Sequence, residues 1–117
     1  MFAASGKKDW ATCTLTENCL LRIVGHARYQ NSADTPAAVA ELLASLRALP
    51  GHEFWADEVT LLDQERVDRS RLLDSARVTD SYLLALAVAR GGQLATFDQR
   101  LVTDAAIHGV KTLHLIR

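Results

Sequence analysis

Apolar residues fall into short runs that alternate with helical repeats. Trp10-Ala11-Thr12-Cys13 reads as a short buried strand. Leu20, Leu21, Ile23 and Val24 then recur at helical spacing and predict a helix from Glu17 to about Gly25, with Thr16 as its cap. Asn31-Ser32-Ala33-Asp34 is loop chemistry. Thr35-Pro36 opens a second helix, because threonine caps the free N–H groups and proline at the first helical position lacks one. Val39, Leu42, Leu43 and Leu46 give that helix an apolar face, expected in the core, part of which suits a dimer or a partner helix. Pro50-Gly51 stops it, and Glu53-Phe54-Trp55 predicts a second strand within His52 to Ala56. The polar stretch from Asp57 to Ala76 predicts one or two short helical turns in a loop. Thr79 is expected to cap a helix from Asp80 to Arg90 whose interior is apolar all round, so it should be buried on most sides. Gly91-Gly92 ends it, Gln93-Leu94-Ala95-Thr96 is a strand, and Val110 to Ile116 contains the last one. Strands alternating with helices predict an α/β fold, a parallel sheet covered on both faces.

Composition narrows this picture. A chain of 117 residues suits one domain, 1–117. Hydrophobic content of 49% with only 6% aromatics leaves Leu, Ala and Val to make most of the core. Thirteen basic and fourteen acidic residues give a formal charge of −1, so there is no global pull toward nucleic acid, although a local patch or a metal can still supply one. No apolar run reaches the roughly 18 residues of a membrane span. Met1 to Lys8 is too short and polar for a signal peptide, so the expected location is the cytoplasm. Cys13 and Cys19 match no zinc spacing and read as reduced, core-type thiols. His26, His52, His108 and His114 show no paired spacing and read as surface or satisfied structural residues. Arg66, Arg69, Arg71 and Arg77 interleave with Asp63, Glu65, Asp68 and Asp74, which predicts a solvated mixed-charge face rather than an RNA-binding patch.

Three acids stand out: Glu17, Asp80 and Asp98 each follow a strand-like run. In open α/β sheets, function collects at the carboxyl ends of strands. Carboxylates gathered there make an oxygen-rich site for Mg²⁺ or Mn²⁺. Taken singly, each has a simpler reading. Glu17 and Asp80 fall at expected helix starts, where the dipole favours a carboxylate by about 0.3–1 kcal/mol, and Asp98 suits a turn. Together, three acids after three strands favour one shared site.

The same residues resemble the PIN-domain nucleases, and among them the VapC-type toxins of bacterial toxin–antitoxin pairs. Trp10-Ala11-Thr12-Cys13 with Leu15-Thr16-Glu17-Asn18 looks like the family's second strand and its glutamate. Thr79-Asp80-Ser81-Tyr82-Leu83-Leu84-Ala85-Leu86-Ala87 resembles the third acidic motif, and Gly92-Gln93-Leu94-Ala95-Thr96-Phe97-Asp98 the fourth. The resemblance implies a three-layer PIN-like fold and a ribonuclease that uses one or two Mg²⁺ or Mn²⁺ ions. It also implies an antitoxin partner and commonly a homodimer. Glu17, Asp80 and Asp98 would be its catalytic metal ligands. Thr79, Ser81 and Thr96 would orient water or carboxylates, and Arg100 would contact an RNA phosphate.

The family opens with an apolar strand ending in aspartate, and nothing before Glu17 fits. Asp9 precedes a strand instead of ending one, and Met1 to Lys8 reads as the tail of a helix after a missing strand. The domain is therefore expected to be incomplete at its N-terminus, without the usual first strand and its acid. Losing such a carboxylate is expected to cost at least roughly 10–100-fold, so the chain is expected to be inactive or nearly so. Unpaired strand edges also predict a marginal, aggregation-prone monomer. The alternative reading is a non-catalytic PIN remnant that binds an antitoxin or a full-length toxin. A different metal-dependent phosphohydrolase on a related sheet is the third.

Overall fold

The computed structural model describes residues 2–3, 9–24, 35–96 and 103–115. Five strands make one sheet in the order β3-β2-β1-β4-β5. They are β1 (Phe2–Ala3), β2 (Trp10–Thr12), β3 (His52–Phe54), β4 (Gln93–Thr96) and β5 (Leu113–Leu115). β2 pairs with β3 in parallel, as does β4 with β5. β1 lies between β2 and β4 and runs antiparallel to both. It follows that β2, β3, β4 and β5 all point the same way, and their carboxyl ends share one edge of the sheet.

This is the expected α/β fold, but the sheet is mixed rather than parallel, because its middle strand runs against its two neighbours. Phe2–Ala3 was expected to belong to a helix tail; it is a strand instead. Burial explains the choice: Phe2 is 2% exposed, and its ring lies 4.4 Å from the indole of Trp55. A residue in the middle of a sheet gains cover on both faces, and a pair of buried aromatics adds about 0.5–1.5 kcal/mol beyond its area.

The helices are α1 (Thr14–Val24), α2 (Pro36–Arg47), α3 (Ala76–Arg90) and the short α4 (Gly109–Thr112). α1 starts earlier than Thr16 would place it. Thr16 Oγ1 accepts from the Cys13 N–H and donates to the Cys13 carbonyl, so it closes back on the entry to the helix from within the first turn. α2 is capped as expected, with Thr35 Oγ1 accepting from the Ala38 N–H ahead of Pro36. α3 also starts earlier than expected. Asp74 Oδ1 and the Asp74 carbonyl both receive the Arg77 N–H, so the turn begins there and Thr79 and Asp80 lie inside the helix.

Paired residues of neighbouring strands share a face. Phe2, Ala11 and Leu94 are register partners and meet Leu84, Leu86 and Ala87 of α3 in the core. Leu84, Ala85, Leu86 and Ala87 are fully buried, as the apolar interior of this helix predicts. Thr12 and Phe54 are partners facing the other way, toward α1 and α2. The face of α2 departs from expectation. Leu43 is buried, but Leu42 and Leu46 are 59% and 40% exposed, and Leu49 beyond the helix is 56% exposed. α2 therefore turns only its Leu43 edge inward. Gly91 ends α3 at φ 69°, in the left-handed region. A Cβ on Gly92 would stand 2.5 Å from the Trp55 ring and 2.6 Å from the Ala3 carbonyl, so only glycine lets α3 turn this tightly into β4.

Candidate functional site

Glu17 sits in the first turn of α1, which follows directly from β2. Its carboxylate is held on both oxygens. Thr12 Oγ1, on the last residue of β2, lies 2.6 Å from Oε2. Arg47 Nη1, in the last turn of α2, lies 3.1 Å from Oε1. The Arg47 guanidinium also stacks on Phe54, 4.8 Å from the ring centroid. His52 Nε2 is 2.8 Å from the same Thr12 hydroxyl. A carboxylate only accepts, so the single hydroxyl proton of Thr12 goes to Glu17, and His52 must donate from Nε2. The His52 ring packs edge-on against Trp10 at 4.5 Å. The sequence expectation of a satisfied structural histidine holds for His52, and its partner is a residue that orients a candidate ligand.

Asp80 is half-buried on α3, about one turn into the helix. Its height can be reckoned from the turn at Gly91. Asp80 lies eleven residues before it, about 16 Å along a helix, and Thr96 lies five residues after it, about 16 Å along a strand. α3 packs against β4, so Asp80 stands level with the carboxyl end of that strand. Glu17 reaches this edge from the end of β2. The two strands flank β1 and are about 10 Å apart, two interstrand spacings. Ser81 is buried, Thr96 half-buried and Thr79 exposed. Asp98 and Arg100 lie outside the described residues, as does His26. Among the described residues, no group of three or more His, Cys, Asp or Glu is gathered as a metal site.

Away from this edge, the arginine series behaves as a mixed-charge surface. Arg66 pairs with Asp63, Arg71 with Asp68 and Asp104, and Arg77 with Asp74. The Ser70 hydroxyl, 2.6 Å from Asp68, holds that carboxyl below the usual aspartate value against the opposing effect of desolvation, helped by the Ser70 N–H and by Arg71. Cys13 and Cys19 are free thiols, with Cys13 buried.

Comparison with known proteins decides the family. The chain is 40% identical to ribonuclease VapC44 of Mycobacterium tuberculosis over 109 residues, which is 93% of this chain and 75% of that protein. The chain belongs to the VapC ribonuclease family. Ribonuclease VapC39 of the same organism is 37% identical over 96% of this chain and 81% of its own length. Ribonuclease VapC38 is 39% identical over 89% and 72%. No family model matches, and no solved structure gives a significant match. As a VapC relative, the chain carries the PIN-like fold described above.

Three residues around Glu17 escaped the sequence reading. Arg47 drew no reading, because a cation in the last turn of a helix is ordinary chemistry that complements the dipole. Thr12 looked like a strand residue, and His52 had no paired spacing. Their meeting at one carboxylate depends on the β2–β3 pairing and on α2 packing against β3, neither of which leaves a local signature.

Proposed function

We propose that the chain is a metal-dependent endoribonuclease toxin that hydrolyses RNA phosphodiester bonds in the cytoplasm and is restrained by a cognate antitoxin. Membership of a family whose relatives are named ribonucleases supports the activity. The observation that carries the site is Glu17, a carboxylate fixed by Thr12 at the carboxyl edge of the sheet and balanced by a cation, the guanidinium of Arg47. The Arg47 guanidinium standing against Glu17 is in keeping with a carboxylate that attracts positive charge. Glu17, Asp80 and Asp98 would hold Mg²⁺ or Mn²⁺. When bound, such an ion makes water nucleophilic near neutral pH and stabilises charge on phosphate oxygens. In this reading Thr12 orients the Glu17 carboxylate, His52 fixes the direction of the Thr12 hydroxyl, and Thr79, Ser81 and Thr96 offer hydroxyls to water or to the acids. Arg100 contacts an RNA phosphate.

The middle slot of the sheet holds Phe2–Ala3, whose side chains bring no carboxylate to the site. Leu42, Leu46 and Leu49 form an exposed apolar stripe that suits an antitoxin helix or a homodimer contact. Among the described residues, no helix is long and apolar enough to cross a membrane.

The test is cleavage of single-stranded RNA in MnCl₂ or MgCl₂ against EDTA. The expected result is metal-dependent cleavage that is lost in Glu17→Gln and Asp80→Asn. Cleavage that persists in EDTA, or in both variants, overturns the reading. Complete inactivity with retained binding to an antitoxin would favour the alternative, a non-catalytic PIN remnant.

A further inference from the structure

Glu17 is already paired with a cation. Arg47 Nη1 is 3.1 Å from Oε1, while Thr12 holds Oε2 at 2.6 Å. The two contacts differ in kind. The Thr12 hydroxyl donates a hydrogen bond without adding net charge, so it can orient the carboxylate whether or not another cation arrives. Arg47 brings a full positive charge, which a divalent ion at the same carboxylate would repel. Arg47 is also able to leave. Its side chain is 39% exposed against 16% for Glu17, and it has a second seat on the Phe54 ring, 4.8 Å away. A guanidinium over an aromatic face keeps a favourable contact when its carboxylate partner is taken.

Resting on the ribonuclease reading above, we propose that Arg47 is an internal counter-cation that occupies Glu17 in the metal-free protein and competes with the divalent ion for it. Arg47 thus sets the metal affinity of the site. It is a positioning residue and takes no part in the chemistry. The pairing also balances the charge of a carboxylate in the first turn of α1 from α2, and so joins the two helices.

Calorimetric titration of MnCl₂ into the wild-type chain, Arg47→Gln, Arg47→Lys and Glu17→Gln tests this. Arg47→Gln keeps the aliphatic stem and removes the charge, together with the guanidinium contact to Phe54. It should tighten Mn²⁺ binding by about 5–20-fold, the lower range of ordinary coupling between two sites. Arg47→Lys, which keeps a competing charge, should stay close to wild type. Unchanged or weaker binding in folded Arg47→Gln overturns the proposal and leaves the ribonuclease reading standing. Unchanged Mn²⁺ binding in Glu17→Gln removes Glu17 as a ligand, and then both readings fall. A role confined to joining α1 to α2 would lower the melting temperature of Arg47→Gln without tightening its metal binding. Should that variant not fold, the wild-type protein decides the matter. The Arg47 Nε–H resonance should shift on titration with diamagnetic MgCl₂, and an unmoved resonance at saturating Mg²⁺ overturns the proposal.

Discussion

At the residue scale, the chemistry centres on Thr12. Its side chain is fully buried and its one hydroxyl serves two partners, Glu17 and His52. Thr12→Val keeps the shape and removes both bonds. A buried donor or acceptor left without its partner costs about 1–3 kcal/mol, so the variant should lose stability of that order in urea unfolding. It should also free the Glu17 carboxylate to adopt other rotamers. A loss under about 0.5 kcal/mol, the level of an ordinary surface change, would mean that the Thr12 network contributes little to folding. The site residues were legible to different depths. Glu17 was readable as an acid just after a strand, whereas Asp80, expected to follow a strand-like run, lies inside α3 with helix before it. Arg47 and His52 were not readable, because the contacts that give them meaning run from residue 17 to residue 47 and from residue 12 to residue 52.

At the scale of elements, helix starts moved most. Thr16 and Thr79 have the right chemistry for caps, but a cap is defined by which N–H groups are left free. The Thr16 hydroxyl turns back onto Cys13, and Asp74 takes the Arg77 N–H a turn before Thr79. The stop of α3 was read correctly, since Gly91 is needed at positive φ and that need is local, whereas α2 ends at Arg47, ahead of the Pro50-Gly51 stop read from the sequence. The turn from α3 into β4 has no spare room. Gly92→Ala would push a methyl group into the Trp55 ring and the Ala3 carbonyl. Overpacking of this kind costs about 1–3 kcal/mol, and here it also strains the junction that sets the level of Asp80 against Thr96. The variant is expected to show a lowered melting temperature together with weakened Mn²⁺ binding. Wild-type stability would show that the junction can shift to admit a side chain.

For the whole molecule, the fold class was readable because strands and helices alternate in period as well as in order. The direction of β1 was not. Two residues carry no periodicity, and what places Phe2 in the middle of the sheet is the pocket made by Trp55, Ala11 and Leu94, residues distant in sequence. How much of the α2 stripe faces outward was left open by the sequence for a related reason. Helical spacing gives an apolar stripe but not what covers it, and Leu43 alone among its leucines is buried. The central claim, that Glu17, Asp80 and Asp98 serve one divalent ion, is open to direct measurement. Paramagnetic Mn²⁺ broadens amide resonances close to it, so a substoichiometric MnCl₂ titration of ¹⁵N-labelled protein would map the site. The account predicts that residues 12–18, 79–83 and 95–98 broaden together. Broadening centred instead on the acidic loop around Asp63, Asp68 and Asp74, or none at any position, would contradict it.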